Sequence, residues 1–261
     1  LHIGQLLSGT ISPGDTLQAE VDDASRTRTR ANHSATHLLH AALRQILGNH
    51  VQQKGSLVNA DKLRFDFAHT GVIEASQLEQ IEYLVNQQVR LNTGVDTQVL
   101  SYDEAVEGGA TALFGEKYGD EVRVVTMGTT DPASNQIYSM ELCGGTHVRQ
   151  TGDIGLLRIV REEGPASGVR RIEAVTGLAA LEHVRRRDAQ LEQAAAVLKT
   201  SPAALAERVE ALSTERRQLE KELADVRKKL AAAGSGGGGQ IGPEDISGTP
   251  VIARIIEDVP A

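Results

Sequence analysis

The sequence predicts an α+β fold that opens on the end of a small β-barrel and closes on an antiparallel α-helical hairpin. Three observations carry this. Through the first 177 residues, short strand candidates and amphipathic helices occur out of strict alternation. From Leu178 onward the composition changes and apolar residues recur at helical spacing. Between Ile11 and Asp15 a Pro-Gly-Asp turn separates two short apolar stretches. The 261 residues are 40% hydrophobic and 24% charged, a balance that buries a real core. With only seven aromatics, a stacking platform for single-stranded nucleic acid is poorly supported. A net charge of −8 excludes a uniformly basic nucleic-acid coat. One cysteine cannot form an internal disulfide, so a reducing, cytoplasmic setting is expected. No apolar run approaches membrane-spanning length, so neither a membrane nor export is expected. Because the chain starts at Leu1 without Met and stops soon after a linker, it is expected to be a piece of something longer.

Each element has a local reason. Leu1–Leu7 and Thr16–Val21 around the turn suggest a hairpin, the barrel end of residues 1–24. A helix is expected from Asn32, as N-cap, to Leu47, with Gly48 as its stop. Strand candidates follow at Leu63–Phe67, Val122–Met127, Ile137–Leu142, Gly155–Val160 and Val169–Val175. A capping box at Ser76-Gln77-Leu78-Glu79 opens a second helix to about Leu91. Another at Ser101-Tyr102-Asp103-Glu104 opens a short helix ending at Gly108-Gly109. Together these make residues 25–177 one α+β domain. In the following segment, Ser201 and Pro202 suit an N-cap and first helical position, dividing helices 178–199 and 202–233 into a hairpin. Residues 234–239 read as a flexible Gly-rich linker, and 240–261 as the truncated start of a further domain with one strand candidate, Val251–Ile256.

Chemistry gathers at two places. His33 and His37 stand four residues apart, so both imidazoles project from one side of the first helix, away from the stripe of Leu38, Leu39, Ala42, Leu43 and Ile46. Cys143-Gly144-Gly145-Thr146-His147 sets the only cysteine four residues from another histidine, with two glycines that favour a tight turn. Three imidazoles and a thiolate make a tetrahedral, borderline-soft donor set suited to Zn2+. The 25–177 domain is therefore expected to contain zinc. Four protein ligands suit a structural zinc, whereas hydrolysis needs an open position, and the residues alone leave both readings open. Thr36 on the helix, with Gln53 and Ser56 in a following loop, are the polar groups that a hydrolytic pocket would use.

Several blocks resemble alanyl-tRNA synthetase: Asn32–Arg44 with its histidines, Gln53–Val58, Leu63–Phe67, Glu141–His147, Gly152–Gly155 and Gly168–Gly177. The resemblance covers essentially the whole chain, as barrel end, editing domain, helical hairpin and the beginning of the C-terminal domain. The spacing of the two His/Cys pairs is shared with threonyl-tRNA synthetase editing domains and free-standing alanyl-tRNA deacylases, while the flanking blocks favour the alanine enzyme. What the resemblance implies is zinc-dependent hydrolysis of tRNA(Ala) mischarged with serine or glycine. It assigns His33, His37, Cys143 and His147 to zinc and places Thr36 and Gln53 in the pocket. It also implies that this portion lacks the aminoacylation domain and so neither activates alanine with ATP nor charges tRNA.

Charge is uneven enough to admit a tRNA partner. Residues 149–187 hold eight Arg against five acids, a local net of +3, and Arg44 lies on the histidine helix. Arg44, Arg170 and Arg171 are the expected tRNA contacts, since clustered arginine suits phosphate. Two rival readings remain at this point: a non-catalytic, zinc-stabilised tRNA-binding and oligomerisation module, and a free-standing deacylase. The helical seam also suggests oligomerisation through the C-terminal domain of the longer protein.

Overall fold

Asp22 accepts a hydrogen bond from the Ser25 N–H and so caps a 25-residue helix, α1 (Asp23–Leu47), in the computed structural model. The structure describes residues 4–112, 118–131, 133, 136–233, 244–247 and 249–251. Helix α1 starts nine residues before the expected Asn32. Its first turns, Asp23–Arg30, carry no apolar stripe because they are largely exposed, so hydrophobic periodicity cannot register them. Asn32 is a buried mid-helix residue. Its amide donates to the Asn59 carbonyl and its oxygen accepts from the Thr176 hydroxyl.

The expected barrel hairpin does not form. Residues 4–22 contain no strand, and Leu1–Ile3 lie outside the described residues. The Pro13-Gly14 turn is present, with Asp15 N–H donating to the Ser12 carbonyl and Gly14 at φ +99°. Its flanks stay extended and exposed, Leu7 by 90%. An isolated two-stranded ribbon with no apolar surface to rest on is marginal in water.

Next come β1 (Gln53–Val58), β2 (Leu63–Ala68), α2 (Ala75–Leu91), β3 (Val95–Ser101), α3 (Tyr102–Glu107), β4 (Glu121–Asp131), β5 (Gln136–Leu142), β6 (Leu157–Ala166) and β7 (Val169–Thr176). The five strands expected between Leu63 and Val175 are found, some longer than expected and β6 starting at Leu157 rather than Gly155, whereas the expected Val251–Ile256 lies outside the described residues beyond Val251. Strands β1 and β3 are additional, so Gln53 and Ser56 lie on a strand rather than in a loop. Both added strands are polar and half-exposed, which conceals them from an apolar-run criterion. The α3 capping box is formed by Ser101 and Glu104 as expected. That of α2 is instead Glu74 with Gln77, two residues upstream of Ser76 and Glu79.

The strands make two antiparallel sheets, ordered β1-β2-β7-β6 and β3-β4-β5. Phe65 and Phe67 of β2, with Ile172 and Ala174 of β7, form the inner face of the first sheet. Against it lie Leu38, Leu39 and Leu43 of α1 and Ile81 and Val85 of α2, all fully buried. Each such side chain contributes roughly 1.5–3 kcal/mol on burial. The opposite face is ionic: Arg171 grips Asp66 with two hydrogen bonds of 2.7 and 2.8 Å, and Lys62 pairs with Glu173 at 2.7 Å.

The chain divides into units 1–187 and 188–261. Helix α4 (Gly177–Val197) ends before Ser201, whose hydroxyl caps the single turn Pro202–Ala204 that leads into α5 (Leu205–Ala233). In the second unit Ala195 is buried and Leu198, Leu205 and Leu212 are half-buried, all near this turn. Leu191, Val209, Leu219, Leu223, Val226 and Leu230 are exposed, so the expected seam is not buried along its length. The Gly-rich linker 234–239 and residues 252–261 lie outside the described residues. Glu244–Ile246 and Thr249–Val251 pair as a two-stranded antiparallel ribbon.

Candidate metal centre

Helix α1 is buried on its polar side as well as its apolar side. Asn32, Ser34, Thr36, His37 and His40 are all buried. Buried polar groups need partners, and these come from distant parts of the chain. The turn after β5 brings Cys143 and His147 against the helix, so that one donor atom from each of His33, His37, Cys143 and His147 falls within 4.8 Å of the others. Cys143 Sγ lies 3.4 Å from His147 Nε2 and 3.6 Å from His33 Nε2.

The other nitrogen of each ring is already engaged. Nδ1 of His33 is 3.2 Å from the Thr146 carbonyl, and Nδ1 of His147 is 3.2 Å from Ser34 Oγ. His37 Nδ1 is 2.6 Å from a Glu141 carboxylate oxygen, whose second oxygen is 2.8 Å from His40 Nδ1. Such contacts engage Nδ1 and turn Nε2 toward the cluster, the arrangement that metal-ligating histidines show. Nε2 of His37 is buried with no hydrogen-bond partner among the described residues. A buried orphan nitrogen beside a thiol and two further imidazoles fits a thiophilic, nitrogen-binding divalent ion such as zinc.

Electrostatics favour the same ligand set. Burial alone would push the Cys143 thiol up, but hydrogen bonds from His147 and His33 and the neighbouring His37 outweigh it and bring its pKa down to about 3. The residue is thus a thiolate at neutral pH. Burial of Glu141 is likewise overcome by His37 and His40, which hold it ionised. Burial would lower His37, yet the Glu141 carboxylate raises it well above the ordinary histidine range, so a bound metal would replace the proton on its Nε2. His147 is lowered, chiefly by burial.

The turn itself admits little substitution. A Cβ on Gly145 would sit 2.1 Å from His33 Cε1, so glycine lets the backbone pass beside the ring. Arg123 of β4 donates to the carbonyls of Gly145 and Cys143 and fastens the turn from below.

Residues 122–173, which span β4 to most of β7 and include Cys143 and His147, match the family described as the Threonyl and Alanyl tRNA synthetase second additional domain. The chain is 52% identical to the alanine–tRNA ligase of Mesorhizobium japonicum over 99% of its own length and 30% of that protein. It is equally similar to the enzyme of Saccharophagus degradans, over 100% of its own length and 29% of the relative. The chain belongs to the alanyl-tRNA synthetase family. It spans 30% or less of the length of these relatives.

For this synthetase portion, the four expected metal ligands are brought together. Thr36 is buried one residue before His37, and its hydroxyl donates to the Asn32 carbonyl at 2.9 Å. Gln53 and Ser56 pair in register with Phe67 and Phe65, which sets them on the α1 side of the sheet, at its edge strand. Arg170 is paired with Glu162 and Arg171 with Asp66, so both are held by carboxylates; Arg44 is half-buried near the end of α1. Sequence reasoning missed Glu141, Ser34 and Arg123. A lone acid within the apolar run Ile137–Leu142 was a usable signal for Glu141, since a buried carboxylate requires a partner. Ser34 carries no comparable signal.

Proposed function

We propose that this chain is an editing site that hydrolyses the ester of tRNA(Ala) mischarged with serine or glycine, in the cytoplasm, with Zn2+ held by His33, His37, Cys143 and His147. The observation that carries the reading is the convergence of three Nε2 atoms on one thiolate, with each Nδ1 already held. The family membership supplies the substrate class. When bound, the metal would polarise the ester carbonyl or lower the pKa of a water.

The need for such a site is physical. A synthetic pocket shaped for alanine loses only about 1–3 kcal/mol when glycine leaves its methyl space empty, and an apolar pocket rejects the hydroxyl of serine only modestly. A second site can use that hydroxyl instead. Because the Thr36 proton is given to the Asn32 carbonyl, Thr36 presents lone pairs and would accept from the serine hydroxyl. Gln53 and Ser56, on the same side of the sheet as Phe65 and Phe67, would orient the ester from the sheet edge.

One observation favours a second reading. Four protein donors fill a tetrahedral shell, as in structural zinc sites, which suits a non-catalytic tRNA-binding module. Metal analysis with a seryl-tRNA(Ala) deacylation assay separates the two. We expect zinc-dependent serine release, lost with the metal in Cys143→Ala and slowed at least tenfold in Thr36→Val or Gln53→Ala with zinc retained. Zinc-loaded protein that binds tRNA without turnover would establish the second reading instead.

A further inference from the structure

Beside the metal centre lies a surface depression lined by Arg30 of α1, Arg123 of β4, Arg149 and the Gly144–His147 turn. Three arginines from three separate segments thus surround one ligand-bearing turn. Among the described residues no carboxylate lines the depression. Asp153, four residues beyond Arg149, already accepts from the backbone N–H groups of Arg149 and Gln150, and Glu141 is held by His37 and His40. Arg30 and Arg149 are exposed, whereas Arg123 spends part of its fork on the Gly145 and Cys143 carbonyls. In contrast, Arg170 and Arg171 are neutralised by Glu162 and Asp66, with side chains only 18% and 25% exposed.

We infer that Arg30 and Arg149, supported by Arg123, form a phosphodiester-binding rim for the single-stranded 3′ end of a tRNA, in place of Arg170 and Arg171. The inference rests on the proposed ester-hydrolysing function. Its chemistry follows from the substrate: the scissile ester sits on the terminal ribose, and the phosphate of that nucleotide is one sugar ring away. A site that grips the ester at the Cys143–His147 turn therefore meets this phosphate at the edge of the same turn. Arginine forks suit phosphate oxygens, and a locally positive rim allows an acidic protein to bind a polyanion at one place.

The test uses the 261-residue chain and an uncharged acceptor-stem minihelix of tRNA(Ala), read by fluorescence anisotropy across a salt series. Arg30→Gln with Arg149→Gln should weaken binding at least tenfold and reduce the salt slope by about one to two. Arg216→Gln with Arg217→Gln, the same change in net charge on α5, should leave both within twofold. A minihelix trimmed of its single-stranded 3′ nucleotides should bind parent and Arg30/Arg149 variant alike. The rim is overturned if the variant binds the intact minihelix as the parent does, if the α5 pair weakens binding equally, or if the parent does not bind it. Because the probe carries no ester, these outcomes are independent of hydrolysis. Serine release with unaltered minihelix binding would sink the rim and leave the editing function standing, and weakened binding without serine release would do the reverse.

Discussion

Replacing Glu141 with glutamine probes the metal centre without touching a ligand. The carboxylate accepts from His37 Nδ1 at 2.6 Å and from His40 Nδ1 at 2.8 Å, and all three side chains are buried. An amide of the same shape offers one acceptor and one donor, so it can serve only one ring. If His37 keeps the amide oxygen, His40 must move its proton to Nε2, which is buried without a partner among the described residues. That orphan donor costs about 1–3 kcal/mol. If His40 keeps the oxygen, the proton on His37 moves to Nε2 and occupies the position that faces Cys143. Either outcome weakens the site, and loss of such a supporting group typically lowers metal affinity 10–100-fold. This corresponds to about 1.4–2.8 kcal/mol. The measurement is a zinc competition titration against a chromophoric chelator, with circular dichroism to check the fold and melting of the metal-free protein. Zinc affinity within twofold of the parent, with unaltered melting, would refute the assignment of Glu141 as the group that orients His37.

Gly145→Ala should lower zinc affinity at least tenfold in the same titration, because the added methyl collides with the His33 ring and the backbone beside it is fastened by Arg123. The Asp66–Arg171 pair should govern part of the acid stability. Arg171 holds the Asp66 carboxyl below its ordinary range against the opposing effect of burial, with Arg64 adding to the shift. The unfolded chain therefore takes up this proton first, and the pair's contribution is present above about pH 4 and lost as pH falls through the depressed folded value. Melting temperatures of Asp66→Asn should thus fall less steeply than the parent's between pH 5 and 2, the two curves converging at the acid end. On α5, Leu223 and Leu230 are 52% and 71% exposed, so Leu223→Asp with Leu230→Asp should change stability by less than about 0.5 kcal/mol. The same pair should reduce self-association in sedimentation velocity and leave serine release intact.

What could be read from the sequence follows from range. The two histidines of α1 share a face because a helix places positions four apart together, and Cys143 and His147 are joined by a turn whose glycines announce it. Both relations are local, and their meeting needed only the chemistry of a shared ion. The start of α1 was hidden because Asp23–Arg30 makes no apolar stripe, and β1 and β3 because their pairing partners, not their composition, make them strands. The barrel hairpin failed for the opposite reason: Leu6, Leu7, Ile11 and Leu17 have strand chemistry but no surface to cover among the described residues. Glu141 is 104 positions from His37, and no periodicity spans that distance.

The polar side of α1 explains why the site and the fold are one construction. Asn32 is satisfied by Asn59 and Thr176, Ser34 by Val148 and His147, His37 and His40 by Glu141, and the His37 carbonyl accepts from Ser139. The partners come from the β1–β2 turn, β5, the turn after it and β7, so the helix reaches its buried position only when both sheets are in place. An unpartnered buried polar atom costs about 1–3 kcal/mol, a large fraction of the margin by which a domain is stable. On α1, among the described residues, that cost falls on the Nε2 atoms of His37 and His40, and the one on His37 is turned toward Cys143 and His147. A bound ion removes the deficit at this atom and adds its affinity to the folded state alone. The metal centre therefore draws on an unsatisfied nitrogen that the fold already holds beside the thiolate, and occupancy of the site and stability of the 1–187 unit should rise and fall together.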